Sequence, residues 1–234
     1  MQLAEVVLPF VKSLRPPHTP IELELRMGRA TPTGTFQARV TKQEMDAILR
    51  SVVAAAGTTG TDTVEWHESH DVFFEHAGDT VRSSVAFDTD TFSMHTTHAV
   101  KRRIACTDAP RFRVASASET PLQPQALPFA TTVRYMRIKQ RRSITVQPAE
   151  LSAPLWRYDF TLVWGGVTKQ EAELRQRSEP PTYEVEVEVL AAGARDLLRL
   201  ARAAVASGQA DATVSGYLQT RLFEIGEALA SLMD

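Results

Sequence analysis

Two short segments near the ends of the chain carry glutamate at every second position. Glu22 and Glu24 lie in the first segment, and Glu184, Glu186 and Glu188 lie in the second. In a β-strand alternate side chains share one face, so each segment would gather its carboxylates on a single face. Like charges on one face repel one another, and an exposed sheet normally mixes signs to avoid that cost. The pattern therefore indicates a solvated charged face or a cation site.

Basic residues repeat this alternation in the middle of the chain. The alternating positions are Arg137, Lys139 and Arg141 in one segment, and Arg157, Asp159 and Thr161 in another. Closing the sheet into a barrel would bring the first and last strands together and gather these faces around one cavity. Carboxylates suit Mg²⁺ or Mn²⁺, and guanidinium and ammonium groups suit phosphate. The joint pattern predicts a tunnel for metal and polyphosphate.

Strands are the elements that must position these residues. From about residue 62 to 190 one candidate strand follows another, with Gly, Pro and Asp at the breaks and no βαβ rhythm. The candidates there are His70–His76, Thr80–Phe87, Phe92–Cys106, Arg111–Glu119, Thr131–Val146, Leu155–Gly165 and Tyr183–Leu190, and two more, Ile21–Met27 and Thr35–Val40, precede this stretch. Such a series predicts a mainly β (α+β) fold, an antiparallel sheet or barrel with a few helices packed outside.

Helices are predicted at both ends and after the second strand. The first fourteen residues form a short amphipathic pattern interrupted at Pro9. Thr41 and Glu44 have capping-box spacing at the start of a second helix, and Gly57 stands where it should end. The tail predicts one helix over about 194–207, ended by Gly208, and another over about 214–233.

Composition sets the class of protein. The 234 residues fit one large domain, with the barrel over about 20–190 and the helical tail over about 194–233. No apolar run reaches the roughly 18 to 20 residues that span a bilayer, so no membrane partner is expected. A net charge of −2 argues against coating nucleic acid by bulk electrostatics. The single Cys106 excludes an internal disulfide and a thiolate zinc cluster, and is expected to be a packing residue.

The ordered motifs from Ile21 to Val189 resemble the yeast-type, metal-dependent RNA 5′-triphosphatases that start mRNA capping in fungi, protozoa and some large DNA viruses. These enzymes belong to the triphosphate tunnel metalloenzymes, so the resemblance implies an eight-stranded antiparallel barrel. It implies removal of the γ-phosphate from RNA 5′-triphosphate ends, and hydrolysis of nucleoside triphosphates with manganese.

The resemblance also implies a role for each matched residue. The metal, Mg²⁺ or Mn²⁺, would be held by Glu22, Glu24, Glu184, Glu186 and Glu188. The catalytic set would be Glu119, Arg82, Lys101, Lys139 and Arg141, with Glu119 ending the strand RFRVASASE and orienting water. The phosphate-binding set would be Arg82, Lys101, Arg103, Arg137, Lys139, Arg141 and Arg157, with Arg103 as a substitute for Lys101. Asp159, Thr161 and Arg26 would brace these groups.

Three other functions fit part of the pattern. Tunnel hydrolases of tripolyphosphate, thiamine triphosphate or free nucleotides share the charged strands, although they usually carry lysine where this chain has Arg26. A non-catalytic barrel that binds polyphosphate or RNA ends would bind without turnover. An ordinary antiparallel sandwich would carry the charges on outer faces. The capping role further implies a nuclear location, a capping guanylyltransferase as partner, and a monomer or homodimer.

Overall fold

The computed structural model describes residues 2–16, 18–56, 60–62, 66–88, 93–123 and 132–233. The helices are α1 (Leu3–Ser13), α2 (Lys42–Ala56), α3 (Lys169–Ser178), α4 (Ala191–Ala204) and α5 (Ser207–Ala230). The strands are β1 (Ile21–Met27), β2 (Arg29–Ala30), β3 (Phe36–Gln37), β4 (Gly60–Asp62), β5 (His67–His76), β6 (Asp79–Asp88), β7 (Ser93–Asp108), β8 (Phe112–Pro121), β9 (Val133–Val146), β10 (Trp156–Gly166) and β11 (Thr182–Val189). None of the described helices is long and apolar enough to span a bilayer.

Eight antiparallel strands close into a barrel. Their order around the barrel is β1, β8, β7, β6, β5, β9, β10 and β11, and β11 pairs again with β1. The first and last barrel strands along the chain are therefore neighbours, with Glu24 opposite Glu188. The eight-stranded barrel predicted from the resemblance is confirmed. β4 extends the edge of β9, and β2 and β3 form a separate small ribbon.

The apolar core lies outside the barrel wall, not inside it. Leu23, Leu25 and Val187 are fully buried and pack in one cluster with Phe10 of α1 and Leu222 of α5. Burying each such side chain stabilises the fold by roughly 1.5–3 kcal/mol relative to leaving it exposed. Because strand side chains alternate, this apolar outer face forces the charged positions of β1 and β11 into the barrel.

The helix predictions are confirmed in part. Thr41 and Glu44 form the predicted capping box, since Glu44 N–H donates to Thr41 Oγ1 at 3.2 Å and Thr41 N–H donates to Glu44 Oε2 at 2.6 Å. α1 continues through Pro9. Gly208 does not end a helix, because it lies in the first turn of α5. The position of Gly57 is outside the described residues.

Two other expectations are wrong. The strand predicted at Thr35–Val40 shrinks to β3, with Val40 bridging to Tyr183. Cys106, expected to be a packing residue, is exposed. It stands near the end of β7, beyond an irregularity between Arg103 and Ala105 that shifts the pairing register of β7 and β8.

Candidate active site

A cavity of about 220 Å³ inside the barrel is lined entirely by ionisable side chains. Seven are acids, namely Glu22, Glu24, Glu119, Asp159, Glu184, Glu186 and Glu188. Seven are bases, namely Arg26, Arg82, Lys101, Arg137, Lys139, Arg141 and Arg157. All fourteen are among the sixteen site residues predicted from the sequence; strand alternation marked most of them, and the family resemblance supplied Arg82, Lys101 and Glu119. Thr161 and Arg103 are the two that do not line the cavity.

The acidic wall is built by β1 and β11. Arg26 is the cross-strand partner of Glu186, and its Nε lies 3.1 Å from Glu186 Oε1 without hydrogen-bond geometry. Arg26 Nη2 lies 3.1 Å from Glu24 Oε1. Burial alone would raise the pKa of Glu186, but Arg26 and Arg141 outweigh it and lower that pKa. Arg26 therefore ties the two acidic strands together.

Glu188 and Glu184 are the acids least well compensated. Burial raises the pKa of Glu188 to about 7, and the nearby Arg157 offsets this only in part. Burial and the charge of Glu186 also raise the pKa of Glu184. Within the described chain Glu184 makes no hydrogen bond or ion pair, although it lines the cavity. This wall thus holds carboxylates that lack a full complement of positive charge.

Lys101 links the acidic wall to the strands opposite. Its Nζ lies 2.6 Å from Glu22 Oε2 and 3.3 Å from Glu24 Oε2. Burial would lower the pKa of Lys101, but Glu24 and Glu22 outweigh it and raise that pKa. Arg82 donates to Glu119 Oε1 at 2.5 Å. Burial raises the pKa of Glu119, and a hydrogen bond with Glu22 raises it further.

Asp71 holds the basic wall in place and was missed by the sequence analysis. It is fully buried, and Arg137 Nη2 and Lys139 Nζ each lie 2.8 Å from its Oδ2. Ser84 donates to the other oxygen. Burial would raise the pKa of Asp71, but Lys139 first and then Ser84 and Arg137 lower it to about 2. Burial lowers the pKa of Lys139 although Asp71 acts to raise it. Arg141 and Arg137, which flank Lys139 on β9, lower this pKa further.

Asp159 holds two further cations of the cavity, Arg141 and Arg157. It is 2% exposed and accepts a hydrogen bond from Ser143 Oγ at 2.6 Å and from Arg157 Nε at 3.1 Å. Arg141 Nη1 lies 3.2 Å from its Oδ2, and Arg157 also donates to Glu188. Asp159 thus contacts Arg141 and Arg157 from one buried carboxylate.

Two predicted positions need correction. Thr161 was expected to brace the site by hydrogen bonding, but its Oγ1 is buried with no hydrogen-bond partner in the described chain. Arg103 was expected as a substitute for Lys101, but it is exposed and lies outside the cavity. The β7–β8 register shifts immediately after Arg103, and such irregularities redirect side chains. Lys101 alone of the two faces the cavity.

The donor chemistry fits a hard divalent cation, since carboxylate oxygens are what Mg²⁺ and Mn²⁺ prefer. The arrangement is not that of a formed site, because no group of three or more His, Cys, Asp or Glu among the described residues is placed to hold a metal. Lys101, Arg26 and Arg157 occupy the carboxylates instead. A cation would use the under-compensated glutamates and displace part of this ion pairing.

Among solved structures, the chain is similar to RNA triphosphatases. The Pct1 RNA triphosphatase of S. pombe is 16% identical, with a TM-score of 0.63 over 100% of this chain and 93% of that chain. In its complex with the Spt5 CTD, the same protein gives a TM-score of 0.65 at 16% identity over 98% of this chain and 94% of that chain. The RNA triphosphatase domain of the trifunctional mimivirus mRNA capping enzyme is 12% identical, with a TM-score of 0.51 over 79% and 86%.

No protein-family model and no curated protein matches the sequence. The likeness to the solved structures is therefore one of backbone fold. The chain has the triphosphate tunnel fold of these RNA triphosphatases.

Proposed function

We propose that the chain is a divalent-metal-dependent RNA 5′-triphosphatase that converts RNA 5′-triphosphate ends to 5′-diphosphate ends. The observation that carries this proposal is the cavity lined by seven acids and seven bases inside a closed barrel. Burying so many ionisable groups together costs stability unless they are paired. Such clusters of buried ionisable groups are typical of functional sites. The fold likeness to the S. pombe and mimivirus RNA triphosphatases supports the choice of reaction.

The basic residues would bind the triphosphate. Arg82, Arg137, Lys139 and Arg141 line the cavity from β6 and β9, opposite the acidic wall. Asp71 and Asp159 hold Arg137, Lys139 and Arg141 in place through the contacts described above, and Glu119 pairs with Arg82. In phosphoryl transfer most of the catalysis comes from positioning and from neutralising charge on the transferred group. Cations that are already positioned need little rearrangement at the moment of reaction.

The reaction is in-line attack of water on the γ-phosphorus. The new P–O bond forms to water as the bond to the β-phosphate oxygen breaks, and the RNA leaves with a 5′-diphosphate. Glu119 would orient the attacking water, because it lies at the cavity and is held by Arg82. Lys101 would neutralise charge next to it.

Glu22, Glu24, Glu184, Glu186 and Glu188 would hold the Mg²⁺ or Mn²⁺. When bound, the metal would supply Lewis-acid polarisation of a phosphate oxygen. Hydrolysis of nucleoside triphosphates, a nuclear location, contact with a capping guanylyltransferase and the oligomeric state remain predictions from the resemblance.

The test is phosphate release from triphosphate-ended RNA, with Mg²⁺ or Mn²⁺ and with a chelator. Release from tripolyphosphate is measured in parallel, because a tripolyphosphate hydrolase would share the charged cavity. Binding of either ligand without turnover under all metal conditions would instead indicate a non-catalytic barrel. Preference for tripolyphosphate over RNA would contradict the RNA assignment while leaving the metal chemistry intact.

Glu186→Gln tests the metal assignment. The variant should lose activity at least about 100-fold, because even outer-shell partners of metal ligands cost about 10- to 100-fold when changed. Glu224→Gln on α5 is the matched control, since Glu224 is exposed and its ion pair with Arg221 lies on α5, away from the cavity. A Glu186→Gln protein that is folded and has normal metal-dependent activity would rule out the assignment.

A further inference from the structure

Two aromatic rings that the proposed mechanism does not use lie beside the charged cavity. Phe73 on β5 is the cross-strand partner of Tyr135 on β9, and their ring centroids are 6.3 Å apart. Phe73 is two residues from Asp71, and Tyr135 is two residues from Arg137, so alternation puts both rings on the inner face. Tyr135 is 42% exposed. The inner face therefore ends, on this side, in an aromatic surface that a ligand can reach.

Gly165 sets the position of the Tyr135 ring. A Cβ built on Gly165 would overlap the hydroxyl and the ring of Tyr135. Gly165 is the cross-strand partner of Arg137, so the ring lies over the inner face of β10 next to that arginine. The ring needs the space that a side chain at position 165 would take. Gly165 thus places the aromatic group inside the rim of the barrel.

Two arginines connect the aromatic pair to the cavity. The guanidinium of Arg137 lies over the Phe73 ring, 4.8 Å from its centroid. Arg82 is the cross-strand partner of Phe73 on β6. Both arginines line the cavity. A phosphate bound by Arg82 and Arg137 would therefore have the aromatic rings as its next neighbours toward the rim.

We propose that Tyr135 and Phe73 form a stacking site for the nucleobase attached to the bound triphosphate. This inference rests on the proposed function, because it takes the cavity as the triphosphate site. Every base has a π-face, so stacking on aromatic rings is tolerant of sequence. The ligand class is a nucleoside triphosphate or the 5′-terminal nucleotide of triphosphate-ended RNA. Tripolyphosphate has no base and gains nothing from the rings.

Tyr135→Ala in the full chain separates these ligands. Its KM for ATP and for triphosphate-ended RNA should rise about 5- to 150-fold, the range expected for loss of one base–aromatic stack. Its KM for tripolyphosphate should stay at the wild-type value. Tyr135→Phe is the matched control and should resemble wild type with all three substrates, because it keeps the ring.

Gly165→Ala provides an independent variant that leaves Tyr135 in the sequence. Its new methyl group would push the ring away, so its KM values should change in the same direction as those of Tyr135→Ala. Tyr217→Ala, on α5 outside the barrel, controls for loss of a tyrosine elsewhere.

Two results would overturn the stacking site. One is an unchanged KM of Tyr135→Ala for ATP and RNA. The other is a rise in the KM for tripolyphosphate equal to the rise for ATP and RNA, which would mean that Tyr135 only packs against Gly165 and does not bind the base. If the wild-type protein hydrolyses none of the three substrates, the proposed function fails separately. Calorimetric binding of ATP and of tripolyphosphate to wild type and Tyr135→Ala then decides the stacking site by the same ratio.

Discussion

Asp71 is a buried carboxylate whose two cationic partners both face the cavity. Its pKa of about 2 lies below the ordinary 3.8. A carboxyl whose pKa is lower in the folded state contributes stability above its unfolded pKa and loses it as the pH falls toward the folded pKa. The shift corresponds to about 2 kcal/mol of stability at neutral pH, present above about pH 4 and lost toward pH 2.

Asp71→Asn should therefore lower the free energy of unfolding at pH 7 by about 2 kcal/mol or more, since Arg137 and Lys139 would be left without their carboxylate. The measurement is urea unfolding of the variant and the wild type at several pH values. The difference between them should shrink as the pH falls below about 4. A difference that stays constant with pH would show that the charge of Asp71 is not what stabilises the fold.

The residues of the cavity and the residues that hold them differ in how far the sequence could predict them. Glu184, Glu186 and Glu188 follow from alternation alone, because a strand has a period of two residues. Asp71 does not, since its partners lie 66 and 68 residues further along the chain and become neighbours only through the β5–β9 pairing. The same is true of Phe73 and Tyr135. Predicting a contact between distant strands requires the pairing register of the two strands, which the sequence of one strand does not give.

At the scale of elements, close backbone approach fixes α4 against the chain that leads into β10. A Cβ on Gly193 would overlap the backbone of Pro154 and Leu155, and Gly193 is buried. Overfilling a packed contact costs about 1–3 kcal/mol, so Gly193→Ala should lower the free energy of unfolding by that amount. Thermal or urea unfolding measures the change.

Gly216 on α5 is the matched control for this contact. A Cβ there meets no atom within 4 Å, and the residue is exposed. Alanine favours a helix over glycine by about 1 kcal/mol, so Gly216→Ala should raise stability by up to that amount. A Gly193→Ala protein as stable as Gly216→Ala would contradict the close approach of α4.

Helix α3 shows where prediction of elements failed. Its residues are almost all polar, and Ala172 is its one buried residue, so no apolar stripe marks it. The signal was at its start, where Thr168 accepts from Glu171 N–H at 3.2 Å and Glu171 accepts from Val167 N–H at 2.8 Å. Capping-box spacing without a following apolar period does not distinguish a helix from a loop between Gly165-Gly166 and Pro180-Pro181. β1, β10 and β11 were predicted well because apolar residues stand at every second position of each.

At the scale of the whole molecule, the cavity lining has equal numbers of acidic and basic side chains, seven of each. Tripolyphosphate alone would add negative charge beside the glutamates, and a divalent cation alone would add positive charge beside the arginines. Together each offsets part of the charge of the other, so each should raise the affinity for the other, and this coupling is reciprocal. The proposed function therefore predicts that each ligand binds more tightly when the other is present than when it is alone.

Thermal unfolding tests this coupling with Mn²⁺ and an imido analogue of tripolyphosphate, whose P–N–P links resist hydrolysis. A ligand at 100 times its Kd stabilises the folded state by about 2.7 kcal/mol, and a domain of this size gains about 2–4 °C in Tm for each kcal/mol. Both ligands together should raise the Tm by about 5–10 °C, more than the sum of their separate shifts. Glu186→Gln should lose this excess because its cavity holds one less carboxylate for the cation, whereas Glu224→Gln should keep it. Additive shifts in the wild type, or a full shift with the analogue and a chelator, would mean that the acidic wall does not bind metal together with the phosphates.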